Sequence, residues 1–195
     1  MSTRVVFIIP ARAGSRRLND KNLHMLLGRP LISYAIESCK KSQYYDGQNL
    51  FVSTEDEKIK NVAISCGASV IDRPEKLSAD DVWTQDVLKH AMASLEGIGA
   101  DIVVRVQANS PQVTEAKIDQ CIEKLVKKKL WEVFTVDQDG VEDAAIHVML
   151  RRCVEQQALS VYKGVVETNY IDIHTIEDVE LAKSLMLCNG AKDAV

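Results

Sequence analysis

The sequence predicts an α/β protein with a mainly parallel sheet and helices on both faces, and three observations support this prediction. Residues 5–9 form a continuous β-branched and aromatic run, which is typical of a strand buried on both faces. Strand-like and helix-like segments then alternate at short loop lengths, an order that indicates successive βαβ units. A length of 195 residues with 46% hydrophobic residues fits one globular domain. We therefore expect a single domain over residues 1–195.

The first unit runs from this strand through a loop to a helix. Pro10 ends the strand, and the loop extends to Gly28. Pro30 then opens the helix, since proline is well tolerated in a first helical turn. The predicted apolar face of the helix consists of Leu31, Ile32, Ala35, Ile36 and Cys39.

The second unit repeats the pattern with a strand at 50–52. Thr54 and Glu57 have the spacing of a capping box for the helix that follows. Gly67 is well placed to end this helix. The predicted inward residues are Ile59, Val62, Ala63 and Cys66.

Two more strands, at 69–71 and 102–106, flank a helix predicted over 84–95. Thr114 would cap the next helix. The inward residues of that helix would be Ile118, Cys121, Ile122, Leu125 and Val126.

The C-terminal third is less regular. Its predicted extended segments are 131–136, 144–150 and 170–173. An acidic turn over 137–143 separates the first two. Thr175 and Asp178 form a second capping box, for a last helix. The inward residues of the last helix would be Val179, Ala182, Leu185 and Met186.

The charge and the cysteines limit the partners and the compartment. A formal net charge of -4 argues against nucleic acid or a membrane surface as a general partner, because both need a basic face. The sequence shows no signal region and no apolar run near the ~20 residues of a membrane span. The five cysteines are far apart and never in Cys-x-x-Cys spacing. We expect a cytoplasmic location and reduced thiols, with Cys39, Cys66 and Cys121 buried.

A group of cations follows the first strand, where open α/β sheets bind ligands. Four of them lie within ten residues: Arg12, Arg16, Arg17 and Lys21. Gly14 lets the backbone approach a ligand closely, and Ser15 offers a hydroxyl and an N–H. The group suits a triphosphate, and the alternative is a solvated loop with scattered basic residues. The glycine patterns of dinucleotide-binding and Walker A loops are missing, which disfavours a nucleotide-binding oxidoreductase.

Five segments, in chain order, resemble one known family. They are IIPARAGSRRLNDKN, GRPLISYAIESCKKS, VSTEDEKIKNVAISCGASVIDRPEKLSADD, VQANSP and YIDIHTIEDVELAKSL. The family is that of the acylneuraminate cytidylyltransferases, which includes CMP-sialic, CMP-legionaminic and CMP-pseudaminic acid synthetases. The resemblance implies a Rossmann-like nucleotide-diphospho-sugar transferase fold of the GT-A kind. It also implies that the anomeric hydroxyl of an acidic sugar attacks the α-phosphate of CTP, pyrophosphate leaves and Mg²⁺ assists.

The resemblance assigns roles to positions of the loop. Arg12, Ser15 and Lys21 would hold the phosphates. Asn22 would help to place the nucleotide, whereas Arg17 is expected to point to solvent and to matter little. The full implied nucleotide-binding set is Arg12, Ala13, Gly14, Ser15, Arg16, Lys21, Asn22 and Arg73.

Three positions after later strands complete the implied site. Arg73 matches an arginine on the cytosine side, and its alternative is an exposed arginine before a proline. Gln107 matches a sugar-contacting glutamine, although a strand-end amide can equally cap local backbone. Asn109 is neutral where the 3-deoxy-manno-octulosonate branch carries an acidic residue, which favours a sialate-type sugar.

The metal site departs from the family. Arg12, Lys21 and Asp172 are the implied catalytic residues, with Asp172 as a ligand of Mg²⁺. Where the family has two aspartates two residues apart, this chain has Asp172 and His174. Residues i and i+2 of a strand share a face, but imidazole is a poor ligand for magnesium. His174 is therefore open to three interpretations: a second metal ligand, a contact to phosphate, or a cap of the last helix.

The turn at 137–143 is a second departure. The family carries a long excursion there that contributes to the dimer interface and to the wall around the sugar. A homodimer is thus implied by the resemblance but not fixed by the sequence. We expect an active CMP-sugar synthetase with a trimmed sugar site. The main alternative is a nucleotide- or sugar-binding paralogue with little or no catalysis, and a weaker one is a different nucleotide or acceptor.

Overall fold

The computed structural model of the protein describes residues 3–156 and 160–192. Within these ranges the strands are β1 (Val5–Pro10), β2 (Met25–Leu26), β3 (Arg29–Pro30), β4 (Leu50–Thr54), β5 (Ser69–Asp72), β6 (Ile102–Val106), β7 (Glu132–Val136), β8 (Glu142–Leu150) and β9 (Lys163–Glu167). The α-helices are α1 (Leu31–Lys41), α2 (Glu57–Ser65), α3 (Thr84–Ser94), α4 (Glu115–Lys128) and α5 (Ile176–Lys192). The single domain over 1–195 stays a prediction, since the described residues stop short of both ends.

A seven-stranded sheet has the order β5-β4-β1-β6-β8-β7-β9. β1 pairs in parallel with β4 and β6, β4 pairs in parallel with β5, and β7 pairs in parallel with β9. Within this sheet, β8 alone runs antiparallel to its neighbours, β6 and β7. The predicted mainly parallel sheet is confirmed, and its parallel strands end at one common edge.

Helices cover both faces of this sheet, as predicted. On one face α1, α2 and α4 pack over Phe7 and Ile9. On the other face α3 and the 3₁₀ helix Arg151–Glu155 pack over Val6 and Ile8. Because successive side chains of a strand point to opposite faces, the apolar run of β1 contributes to both cores. α5 packs against β2 and the start of α1.

The helix caps agree with the sequence in two places and differ in one. Thr114 caps α4, and Thr175 with Asp178 forms the capping box of α5. The box predicted from Thr54 is wrong, because Asp56 caps α2 instead and accepts a hydrogen bond at 2.8 Å from a backbone N–H of its first turn. Thr54 contributes by accepting a hydrogen bond at 3.2 Å from the Asp56 N–H.

Most of the predicted inward residues are buried, with two clear exceptions. Val126 is 48% exposed and Leu185 is 39% exposed. All five cysteines are free thiols; Cys39 and Cys121 are buried, whereas Cys66 is half-buried. No helix within the described ranges combines the length and the apolar character that crossing a membrane requires.

The C-terminal third contains the largest differences from prediction. Residues 170–173 are irregular, and the edge strand is β9, which sequence analysis missed because it is short and polar at both ends. The predicted turn is a tight hairpin between β7 and β8. In it the Asp137 N–H donates to the Val141 carbonyl at 2.8 Å, and Gly140 has a φ of +79°.

Candidate active site

A cleft of about 430 Å³ opens at the sheet edge where β1, β5 and β6 end. This is the edge at which open α/β sheets bind ligands. The loops after these strands and the segment before α5 form its walls. Its polar and charged lining residues are Arg12, Ser15, Arg16, Arg17, Lys21, Asn22, Arg73, Asp80, Thr84, Gln107, Asn109 and His174. The fold therefore gathers most of the predicted site residues around one cavity.

The loop after β1 is held by contacts of its own backbone. Gly14 has a φ of +69°, a left-handed conformation that glycine adopts without strain. Asn22 is buried, and its Nδ2 donates to the carbonyl oxygen of Arg12 at 3.0 Å. Ser15 lines the cleft, whereas Ala13 and Gly14 line a shallower depression beside it. Asn22 thus supports the loop as well as facing the cleft.

Arg12 and Arg16 share the carboxylate of Asp80. Arg12 donates to Asp80 and also to the Ser78 carbonyl at 3.2 Å, while Arg16 Nε lies 2.5 Å from Asp80 Oδ2. The hydrogen bond from Arg12, with the charges of both guanidinium groups, holds the pKa of Asp80 below its ordinary value. A triphosphate would have to replace Asp80 as the partner of these two cations. Asp80 could not be recognised from the sequence, because its partners are far away along the chain.

Glu55, directly after β4, connects the loop to Arg73. Its Oε1 accepts from the Ala13 N–H at 2.8 Å, and its Oε2 accepts from Arg73 Nη2 at 2.7 Å. Burial acts to raise the pKa of Glu55, but hydrogen bonds from Arg73 and the Ala13 N–H outweigh burial and lower it. Arg73 is only 6% exposed, so the alternative of an exposed arginine is wrong. The strand-end position of Glu55 is the signal that could have identified it.

Two cations of the loop meet His174. Arg17 Nη2 lies 2.7 Å from His174 Nδ1, and Lys21 Nζ lies 3.5 Å from the same atom. Guanidinium and ammonium groups only donate, so Nδ1 accepts and the ring proton is on Nε2. Arg17 is exposed, as expected, but it also lines the cleft and contacts His174; that it matters little stays a prediction. Burial lowers the pKa of Lys21, the charges of Arg17 and Arg12 act in the same direction, and Asp172 opposes them.

Asp172 is half-buried beside the cleft and contacts three of the residues that line it. Its Oδ1 accepts from Asn109 Nδ2 at 2.5 Å and from Gln107 Nε2 at 3.3 Å, and its Oδ2 accepts from His174 Nε2 at 2.8 Å. Asn109 Nδ2 also donates to the carbonyl oxygen of Ile173 at 2.6 Å. These contacts tie the irregular segment before α5 to the end of β6. They hold Asp172 and His174 side by side, although this segment is irregular and does not form the predicted strand.

The hydrogen bonds of Asp172 and His174 leave Asp172 able to bind a metal ion but not His174. A carboxylate has about four lone-pair positions, and three of those on Asp172 already accept hydrogen bonds. One position on Oδ2 is left for a cation. His174 has both ring nitrogens engaged, and its backbone N–H donates to Asp178 Oδ2 at 2.8 Å. No group of three or more potential metal-ligating side chains occurs in the part of the chain that the structure describes.

The fold and the site define the class of protein: an α/β protein with a cationic cleft at the carboxyl ends of its parallel strands. A profile of the family described as cytidylyltransferase matches residues 6–179. The chain belongs to the cytidylyltransferase family, and its resemblance to the acylneuraminate cytidylyltransferases is confirmed.

Known relatives agree with this assignment. The chain is 38% identical over 93 residues to the N-acylneuraminate cytidylyltransferase of Escherichia coli O18:K1:H7, covering 48% of this chain and 22% of that protein. It is 34% identical over 125 residues to the pseudaminic acid cytidylyltransferase of Campylobacter jejuni, covering 63% of this chain and 53% of that protein. The matches thus span less than two thirds of either relative.

A solved structure supports the fold. The structure of CMP:2-keto-3-deoxy-manno-octonic acid synthetase complexed with CTP matches with a TM-score of 0.75 at 16% identity. The match covers 96% of this chain and 100% of that chain. The predicted Rossmann-like nucleotidyltransferase fold is therefore confirmed.

Proposed function

We propose that this protein transfers CMP from CTP to the anomeric hydroxyl of an acidic, nonulosonic-type sugar and releases pyrophosphate. The observation that carries the proposal is the convergence of four loop cations on one cleft in a chain of net charge -4. Such transfer depends mainly on positioning the reactants and on neutralising phosphate charge, which this cleft can supply. Membership in the family and the names of its relatives support the same reaction.

The nucleotide side of the proposed site lies on the loop after β1. Arg12 and Lys21 are the proposed catalytic cations, since both line the cleft and Lys21 is half-buried. A poorly hydrated ammonium group gains more from a phosphate than a fully exposed one does. The proposed nucleotide-binding residues are Arg12, Ala13, Gly14, Ser15, Arg16, Lys21, Asn22 and Arg73. Gly14 would act through its backbone, whereas the Ala13 N–H already donates to Glu55.

The sugar side consists of Gln107 and Asn109, which follow β6 and line the same cleft. Both also contact Asp172.

We assign Asp172 as the one carboxylate that would hold Mg²⁺, together with triphosphate oxygens and water. When bound, the ion would neutralise phosphate charge and polarise the α-phosphate. His174 does not fit as a second ligand and instead fixes the orientation of Asp172.

The proposal also covers location and assembly. A cytoplasmic location is supported by the five free thiols. CTP and an acidic sugar are the proposed partners, rather than nucleic acid or a membrane surface, since the net charge is -4. The proposal of a homodimer rests on the family resemblance alone.

A second candidate function is a catalytically impaired paralogue that binds a nucleotide or a sugar. Two observations favour it. His174 stands where the family resemblance implies a second carboxylate that binds metal. A tight hairpin at 137–143 takes the place of the long segment that, by the same resemblance, would surround the sugar.

The test is pyrophosphate release from CTP, magnesium and a panel of nonulosonic acids. We expect release with at least one acid, and we expect Asp172→Asn to abolish it while the protein stays folded by circular dichroism. Asp101→Asn is the matched control, because Asp101 pairs with Arg4 at the opposite edge of the sheet. Stabilisation by CTP without pyrophosphate would favour the impaired paralogue instead. Full activity of Asp172→Asn would show that a metal is held elsewhere or is not needed.

A further inference from the structure

Arg105 is a buried cation next to Gln107, one of the two residues proposed to contact the sugar. It lies on β6 and is only 6% exposed. Burial lowers the pKa of its guanidinium, and three nearby carboxylates oppose this shift. They belong to Glu142, Asp143 and Asp172, and the Glu142 Oε1 lies 3.9 Å from Arg105 Nη2. Removing a guanidinium from water is costly, so a closer and more specific partner is expected.

That closer partner is Gln107. Arg105 Nη1 donates to Gln107 Oε1 at 3.0 Å, and Gln107 Nε2 donates to Asp172 Oδ1 at 3.3 Å. The two ends of a glutamine amide have nearly the same shape, so their hydrogen-bond partners decide which way the amide points. A guanidinium only donates and an ionised carboxylate only accepts. Arg105 and Asp172 together therefore permit a single orientation of the amide.

The oriented amide retains one unused donor. An amide nitrogen carries two hydrogens, and Asp172 takes one of those on Gln107. Gln107 lines the cleft, so the second hydrogen is available to a ligand there. Asn109 differs, because its Nδ2 already donates both to Asp172 and to the Ile173 carbonyl. Of Gln107 and Asn109, Gln107 is thus the residue whose side-chain amide can donate to a substrate.

We propose that Arg105 is a positioning residue that holds Gln107 as a hydrogen-bond donor to an acceptor group of the acidic sugar. This inference rests on the proposed function and deepens it, because it names the chemistry that Gln107 recognises. A carboxylate is the acceptor that gains most from such a donor. Without Arg105 only the 3.3 Å contact to Asp172 would orient the amide, and a turned amide would present its oxygen to the cleft, where it would repel the same group.

The test compares Arg105→Met, which has no donor, with Arg105→Lys, which keeps a charge and a donor. Steady-state pyrophosphate release gives KM for the sugar acid and for CTP separately. We expect Arg105→Met to raise KM for the sugar acid about tenfold, with KM for CTP within about twofold of the original. Arg105→Lys should retain part of the sugar affinity. Glu142→Gln is the matched control, because it removes the more distant partner of Arg105 and should leave both KM values nearly unchanged.

The outcomes separate this inference from the proposed function. Equal rises in both KM values, or no rise in either, would overturn the positioning role while leaving the synthetase function in place. If the unmodified protein releases no pyrophosphate with any acid, the synthetase proposal fails, and NMR then tests the positioning role alone. The side-chain amide resonances of Gln107, identified by their loss in Gln107→Leu, should shift in Arg105→Met and stay close to the original in Glu142→Gln. Unchanged resonances in Arg105→Met would refute the positioning role.

Discussion

Arg12 differs from the other loop cations in having three sets of contacts. Its guanidinium pairs with Asp80 and with the Ser78 carbonyl, and its own carbonyl accepts from Asn22. In the proposed complex a phosphate replaces Asp80, so the pairing that holds Arg12 without ligand also aims it at the triphosphate. The ion pair of Arg12 with Asp80 is therefore consistent with a binding role for Arg12.

At the scale of this residue, we expect Arg12→Ala to weaken CTP binding by about 1–3 kcal/mol, the range for losing a charge-assisted contact. Isothermal titration calorimetry measures the change. Arg4→Ala is the control, since Arg4 is an exposed arginine at the opposite edge of the sheet. An unchanged CTP affinity in Arg12→Ala would remove Arg12 from the proposed site.

His174 is the residue on which the choice between enzyme and impaired paralogue turns. His174→Asp places a second oxygen donor beside Asp172, and magnesium prefers oxygen ligands. We expect tighter magnesium binding and faster pyrophosphate release, with the largest gain at low magnesium. Activity against magnesium concentration, recorded for both proteins, measures this.

Three other results of this substitution are informative. Tighter magnesium binding without any CMP-sugar would favour the impaired paralogue. Lost activity would mean that the imidazole is needed for its contacts to Arg17 and Asp172. If the curves of activity against magnesium concentration are the same for the original protein and for His174→Asp, residue 174 does not belong to the metal site.

At the scale of elements, Glu55 joins the loop after β1 to the end of β5. It contacts the Ala13 N–H and the buried guanidinium of Arg73. We expect Glu55→Gln to lower the free energy of unfolding at pH 7 by roughly 3 kcal/mol, since breaking a buried ion pair leaves a charge without its partner. Urea denaturation measures the change, and Glu96→Gln, at an exposed glutamate, is the control.

The pH dependence of this difference follows from the lowered pKa of Glu55. A group whose pKa is lower in the folded state stabilises the fold fully above its unfolded pKa, about 4.3 for glutamate. This contribution is lost as the pH falls through the folded pKa. The difference between the original protein and Glu55→Gln should therefore be largest near neutral pH and shrink below pH ~4. A difference that stays constant down to acid pH would contradict the ion pair.

At the scale of the whole molecule, ligand binding should be visible as thermal stabilisation. CTP at 100 times its Kd adds about 2.7 kcal/mol to the stability of the folded state. For a chain of this size each kcal/mol raises Tm by about 2–4 °C, so we expect a rise of roughly 5–11 °C. Differential scanning fluorimetry with CTP, UTP, ATP and GTP measures this. A larger rise with another nucleotide would favour a different nucleotide specificity.

Local patterns were sufficient for the fold class and for most of the site. The apolar run of β1, the alternation of strands and helices, and the caps at Thr114 and Thr175 depend on neighbouring residues and could be read directly from the sequence. The cations of the loop could be recognised because a strand-end position and local charge density both lie within one segment. The family resemblance supplied the roles of Gln107 and Asp172, which spacing alone would not have revealed.

Only the tertiary structure decided which partners these side chains have. Arg12 and Asp80 are 68 residues apart in the chain, Arg17 and His174 are 157 apart, and no local pattern connects them. Hydrogen-bond partners depend on distances of about 3 Å between atoms, and the packing of the strands sets those distances once the sheet has formed. For that reason the sequence by itself determined an α/β chain with a cationic loop and an altered aspartate pair. The fold determined that Asp80 and Glu55 hold the loop, and that His174 binds Asp172 and Arg17.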